Sequence, residues 1–282
     1  MARDTRALVR EATHLAPLPR AALQLVSILS RADWQDREVL EVVRLDPVLT
    51  GKVLGAANSA ASGAQVKIMN VEDAVRRIGP RTVVGLALAA GAKRSMAHAL
   101  PQFGLQEGEL WRHSVAALLA AEVASPHFRI PFSTAAVTAA LLHDVGKVLM
   151  ARFLDPDALE YLQLARLAGG QECCMAEQEV LAVSHGELGA LVAVHWGMPD
   201  EIVRAIQFHH DLGAAPEAHR RDAALVQLAD AAAKEIAPPR NQGGVVEPER
   251  DAALTALGLS AEGFPAFVEA ARARLARLGD AY

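Results

Sequence analysis

Apolar residues recur along this chain at the three- and four-residue spacing of helices, and stretches that alternate like strands are not found. In PLPRAALQLVSILSR the prolines precede a helix whose apolar positions include Leu23, Val26, Ile28 and Leu29. Asp36 is placed to cap a second helix carrying Val39, Leu40, Val42 and Val43, and Asp46 followed by Pro47 starts a third through Leu49, Val53 and Leu54 toward Asn58 and Ser59. A polar loop around Ser62 and Gly63 leads to VEDAVRRIG, a short amphipathic helix ended by Gly79 and Pro80. The following TVVGLALAAGAKRSM is apolar on nearly all sides, as a buried helix is. The pattern predicts an all-α fold and argues against a Rossmann or receiver domain.

The periodicity breaks at LPQFGLQEGE, where a proline and two glycines interrupt it. We place a domain boundary there, with an N-terminal helical bundle over residues 1–104 and a second helical domain over 105–282. The second part is expected to hold a helix from about Glu109 to Ala124, one containing the neighbours His143 and Asp144, and one around Asp157 to Leu167. Ser184 and Glu187 form an S-x-x-E capping box that opens a helix at His185, which Gly197 and Pro199 close after Trp196. Asp200 can cap DEIVRAIQFHHD, a further helix spans roughly Asp222 to Ile236, and PPRNQGGVVEPER reads as a flexible loop before the last helical region.

Composition agrees with this picture. The chain is 52% hydrophobic but only 4% aromatic, which favours packed helices over sandwiched strands. Its formal net charge of -5 supplies no general basic field, so nucleic acid is a disfavoured partner, and Arg76, Arg77 and Arg81 near one turn are the only local hint of one. Uncharged runs such as TVVGLALAAGA fall short of the roughly 18–20 residues of a membrane span, and the charged N-terminus lacks a signal-peptide core. No membrane association and a cytoplasmic location are expected. The only cysteines, the neighbours Cys173 and Cys174, lack zinc or redox spacing and read as reduced structural residues.

The chemistry concentrates in the second half. LLHDVGKVLM sets a histidine and an aspartate in an apolar run, where burying them is costly unless something pairs with them. His113, His143, Asp144, His185, His209, His210 and Asp230 are candidate metal ligands, and imidazole nitrogen with carboxylate oxygen suits Fe, Mn, Zn, Co or Ni. Glu109, four residues before His113, lies on the same helix face and joins the candidates. Lys147, one turn after His143, could hold a phosphate oxygen or be an ordinary solvated lysine. His14, His98, His127 and His219 are assigned ordinary structural roles, and so is His195 beside Trp196.

The order His113, His143-Asp144, Asp230 resembles the H…HD…D signature of the HD superfamily of metal-dependent phosphohydrolases. His185 and the His209-His210 pair resemble the extra ligands of its HD-GYP branch, and Glu109 resembles a ligand of that branch's trinuclear members. The blocks DPVLTGKVLGAANSA, VEDAVRRIGPRTVVGLAL, LLHDVGKVLM and HWGMPDEIVRAIQFHH together resemble the HDOD domain, the HD-related output domain of bacterial signalling proteins, over roughly residues 12–235. The resemblance implies an N-terminal bundle joined to an HD-like helical domain. It also implies two divalent transition-metal ions, with iron or manganese expected ahead of zinc, and Asp144 bridging them. His113, His143 and Asp230 would serve one ion and His185, His209 and His210 the other, with Asp144 and Lys147 carrying any catalysis.

HDOD domains are usually described as having lost part of the catalytic set, whereas this chain keeps a full one. DLGAAPEAHRR follows the paired histidines where HD-GYP proteins carry Gly-Tyr-Pro, so cyclic di-GMP hydrolysis is not expected. The preferred expectation is a regulatory, metal-binding signalling protein that acts through contacts with other signalling proteins. The alternative is a metal-dependent phosphohydrolase or phosphodiesterase with a nucleotide or phosphodiester ligand.

Overall fold

A computed structural model describes residues 15–59, 67–154, 156–169, 173–238, 247–278 and 281–282. The loop around Ser62 and Gly63, His14, and most of the loop expected over 238–250 lie outside the described residues. Among these residues the secondary structure is helical, with a single isolated bridge between Leu100 and Leu105.

The first half contains α1 (Arg20–Leu29), α2 (Asp36–Leu45), α3 (Pro47–Asn58), α4 (Val71–Ile78) and α5 (Pro80–Met96). Asp46 caps α3 by accepting the Val48 and Leu49 N–H groups, each at 3.0 Å. Asp36, expected as a cap, is instead the first residue of α2, because Glu38 reaches back to the Gln35 N–H at 3.0 Å and closes the turn one residue earlier. Helix α5 is buried along most of its length, as its unbroken apolar run requires.

After a 3-10 turn at Pro101–Phe103 come α6 (Glu109–Phe128), α7 (Thr134–Leu142), α8 (Val145–Met150), α9 (Pro156–Gly169) and α10 (Cys173–Leu181). These are followed by α11 (His185–His195), α12 (Asp200–Gln207), α13 (Glu217–Ile236), α14 (Glu247–Leu257) and α15 (Phe264–Leu278). Helix α6 packs against both α13 and α15, α11 lies on α8 and α12, and α14 lies on α13. One continuous cluster of buried side chains runs from Leu15 to Tyr282 and joins the two halves. Arg274 on α15 reinforces that junction by pairing with Glu122 of α6 at 2.7 Å and donating to Thr82 of α5 at 3.2 Å. No helix among the described residues is long and apolar enough to cross a membrane.

Two boundaries differ from the sequence pattern in ways that matter for chemistry. The His143-Asp144 pair does not lie inside a helix: His143 terminates α7, and Asp144, at φ -96° and ψ 3°, opens α8. DEIVRAIQFHHD is helical only to Gln207, so His209 and His210 occupy the turn beyond it. Both departures release side chains from helical spacing, letting adjacent residues point into one interior. Helix α13 begins at Glu217, earlier than expected, because Pro216 supplies its entry. His195 is exposed at the end of α11, so it has no buried structural role.

Candidate metal centre

Five structural units deliver side chains to one interior point. His113 comes from α6, His143 and Asp144 from the α7–α8 kink, His185 from the start of α11, His209 and His210 from the turn after α12, and Asp230 from α13. All are buried except His210, whose side chain is 12% exposed. Ligand atoms of His113, His143 and Asp144 lie within 4.8 Å of one another, as do those of His185, His209 and His210.

Asp144 sits between these groups. Its Oδ2 is 3.7 Å from His113 Nε2 and 3.5 Å from His143 Nε2, while its Oδ1 is 3.3 Å from His185 Nε2. Asp230 faces the first group, with Oδ1 at 2.9 Å from His113 Nε2 and 3.5 Å from His143 Nε2. Glu109 is placed differently. Its Oε2 accepts the Gln106 N–H at 2.9 Å at the entrance to α6, and among the described residues it belongs to none of the groups of side chains close enough to share an ion.

Four of the five histidines are aimed from behind, His113 being held instead through Nε2 by Asp230. His143 Nδ1–H donates to the Ala140 carbonyl at 2.8 Å, and His209 Nδ1–H to the Ile206 carbonyl at 2.7 Å. His185 Nδ1 bonds Glu177 Oε2 and His210 Nδ1 bonds Glu249 Oε1, each at 2.7 Å. A proton fixed on Nδ1 leaves the Nε2 lone pair pointing inward, the arrangement that metal-binding histidines adopt. Accordingly Nε2 of His143, His185 and His209, together with Asp144 Oδ1, are buried with no hydrogen-bond partner among the described residues. Four orphaned polar atoms at one point are expensive unless a ligand satisfies them. Imidazole nitrogens and carboxylate oxygens form the donor set a divalent transition metal takes, so these residues fit such an ion.

The inner carboxylates also have lysine partners. Lys147 Nζ is 2.8 Å from Asp144 Oδ2, and Lys234 Nζ is 2.8 Å from Asp230 Oδ2. Lys147 is buried, so it is not the solvated helix lysine that its sequence position also allowed. Burial would raise both carboxyls, but Lys147 and the surrounding imidazoles hold Asp144 well below the usual range, and Lys234 and the His113 hydrogen bond do the same for Asp230. Glu177, Lys234 and Glu249 were not reached by sequence reasoning. Lys234, four residues after Asp230, carried a readable helical-spacing signal; Glu249, beyond a long loop, carried none.

Burial pushes His113, His185 and His209 below the ordinary imidazole value of 6.5, with Asp230 and Glu177 partly offsetting it at the first two and His210 adding to it at His209. For His143 burial is outweighed by Asp144 and Asp230, and the shift is upward. At His113, His185 and His209 the unfolded chain binds more protons than the folded one as pH falls through about 6.5, while His143 and the raised carboxyls of Glu122 and Asp222 act in the opposite sense. Metal-free protein should therefore lose stability between about pH 7 and pH 5. Thermal melts in chelator across that range check this, and a melting temperature that rises on acidification would contradict it.

The sequence profile of the HDOD domain matches residues 15–212. The chain belongs to the HDOD family. This HDOD protein is 25% identical over 203 residues to an uncharacterized protein of Treponema pallidum, a match covering 72% of this chain but only 39% of that protein. Its fold resembles an HDOD domain protein of unknown function from Geobacter sulfurreducens, with TM-score 0.71, 22% identity, and 97% and 99% of the two chains covered. It also resembles a protein from Shewanella amazonensis provisionally named a phosphohydrolase, with TM-score 0.68, 22% identity and coverages of 98% and 97%. A third likeness is to a protein from Marinobacter aquaeolei provisionally named in signal transduction, with TM-score 0.70, 23% identity, 99% of this chain and 66% of that one. At these identities the structures establish the shared fold.

Proposed function

We propose that this HDOD protein is a cytoplasmic signalling module that holds a divalent transition-metal centre and acts through contacts with other signalling proteins. The observation that supports this reading best is the combination of complete inward-facing donors with near-complete burial. His143, His185 and His209 are 0% exposed and Asp144 is 1% exposed. A buried centre of this kind can order the α7–α8 kink and the α11 and α12 ends around it, so that metal occupancy changes the surface those helices present. When bound, divalent ions supply Lewis acidity toward an oxygen ligand. His113, His143, Asp144 and Asp230 would hold one ion and His185, His209 and His210 the other, with Asp144 shared. The provisional signalling name of the Marinobacter relative points the same way.

One observation favours the phosphohydrolase alternative: a cleft of ≈ 480 Å³ reaches His210, bordered also by Gly186, Gln207 and Phe208. Among the described residues its lining carries the carboxylates Glu187 and Asp211 and no lysine or arginine, which disfavours an approaching phosphodiester anion. Protein purified without chelators or a metal-binding tag is expected to carry about two ions of iron or manganese per chain by elemental analysis. The same protein should not hydrolyse bis-p-nitrophenyl phosphate or cyclic dinucleotides above background. Metal-dependent turnover that disappears in His143→Ala would replace the signalling reading with the hydrolase. Metal content well below one ion per chain after reconstitution would refute the centre itself.

A further inference from the structure

A third group of ligand-type atoms lies beside the first two. Those of His210, Asp230 and Glu249 are also within 4.8 Å of one another. Its position follows from how each residue divides its polar atoms. Asp230 turns Oδ1 to His113 and leaves Oδ2 on the other side. Glu249 gives Oε1 to His210 Nδ1 and leaves Oε2 toward the same side. Between the two remaining oxygens stands the Lys234 ammonium, 2.8 Å from Asp230 Oδ2 and 3.5 Å from Glu249 Oε2.

We propose that Lys234 is a built-in cation that fills a third cation position of the centre, between Asp230 and Glu249, and so confines metal binding to two ions. An ordinary surface pair four residues apart on a helix would be solvated and weak. Here the side chains of Lys234, Asp230 and Glu249 are only 17%, 4% and 6% exposed, and one ammonium serves two carboxylates. The lysine is anchored one turn from Asp230 on α13, so its charge cannot diffuse away. Glu249 comes from α14, which packs against the α13 helix that carries both Asp230 and Lys234. Removing the ammonium would leave two buried carboxylates facing an imidazole, a strongly uncompensated arrangement that a divalent ion relieves. The inference rests on reading the neighbouring groups as a metal centre.

The test is the manganese content of Lys234→Ala against the unaltered protein, each dialysed against excess Mn²⁺ and then desalted. The variant is expected to hold about one more ion per chain, and Lys234→Ala/Glu249→Gln is expected to lose that increment. Manganese should also raise the melting temperature of Lys234→Ala by more than that of the double variant. Equal content in Lys234→Ala and the unaltered protein would overturn the proposal. So would a Lys234→Ala protein that stays unfolded even when refolded with Mn²⁺, since the position would then accept no other cation. Because the readout is a difference, an unaltered protein that binds no metal refutes the function proposed above, while the increment in the variant is judged separately.

Discussion

Asp144→Ala is expected to empty both metal positions at once, taking bound metal from about two ions per chain to well below one. No other candidate ligand has this reach. Asp144 is the side chain whose two oxygens face different groups, Oδ2 toward His113 and His143 and Oδ1 toward His185. By contrast His113→Ala should cost chiefly the first ion, and His209→Ala the second. The affinity loss at each position should exceed the ~10–100-fold that follows removal of a mere outer partner of a ligand. Asp144→Ala carries a second consequence, because it removes the carboxylate that lies 2.8 Å from the buried Lys147 ammonium. Breaking a buried pair by deleting one partner costs about 3–5 kcal/mol. Asp144→Ala/Lys147→Met removes that penalty and should recover melting temperature without recovering metal. Elemental analysis and circular-dichroism melts on the three proteins separate the two effects. Metal retained at wild-type level in Asp144→Ala would show that the groups do not meet at this carboxylate.

The all-α fold was legible because helical spacing persists through every long apolar run, and because Asp46 and the Ser184 to Glu187 box announce their helix starts locally. The inner donors were legible as residue types: histidine and aspartate are conspicuous in LLHDVGKVLM. Their mode of presentation was not. Apolar residues flank His143 and Asp144 on both sides, so nothing in the pattern signals that α7 ends at Leu142 and α8 begins at Val145. The same holds for His209 and His210, which continue the spacing of DEIVRAIQ but lie past its last turn. The outer acceptors were still less visible. Glu177 is 0% exposed, yet in CCMAEQEVL it is one of two glutamates with equal claim to solvent. Glu249 reaches His210 only because α14 folds back on α13, a long-range packing event that no local spacing encodes. Glu109 shows the reverse: its spacing from His113 was right for a shared face, but its carboxylate bonds the Gln106 N–H.

Gly146→Ala should damage the centre as severely as loss of a ligand, although glycine has no donor to give. Gly146 is buried on α8 between Asp144 and Lys147, where α8 meets the first turn of α11. A methyl group there would stand 1.8 Å from the His185 carbonyl oxygen and 2.6 Å from the Gly189 amide nitrogen. Both are backbone atoms of one helix, so neither can rotate aside as a side-chain tip would. The helices must separate, and the cost should be at least the ~1–3 kcal/mol of an overpacked core. The separation acts directly on chemistry, because the same contact sets the 3.3 Å between His185 Nε2 and Asp144 Oδ1. An outward shift of α11 by about an ångström would split the shared carboxylate from the second group, and metal geometry tolerates only ~0.2 Å. Gly146→Ala is therefore expected to lower the melting temperature and to lose the second ion before the first. Gly51→Ala, on α3 with nothing among the described residues within 4 Å of the added carbon, should do neither. Metal content and melting temperature measured on both variants test this. If Gly146→Ala matched Gly51→Ala in both, the close approach of α8 and α11 would not be what aligns Asp144 with His185.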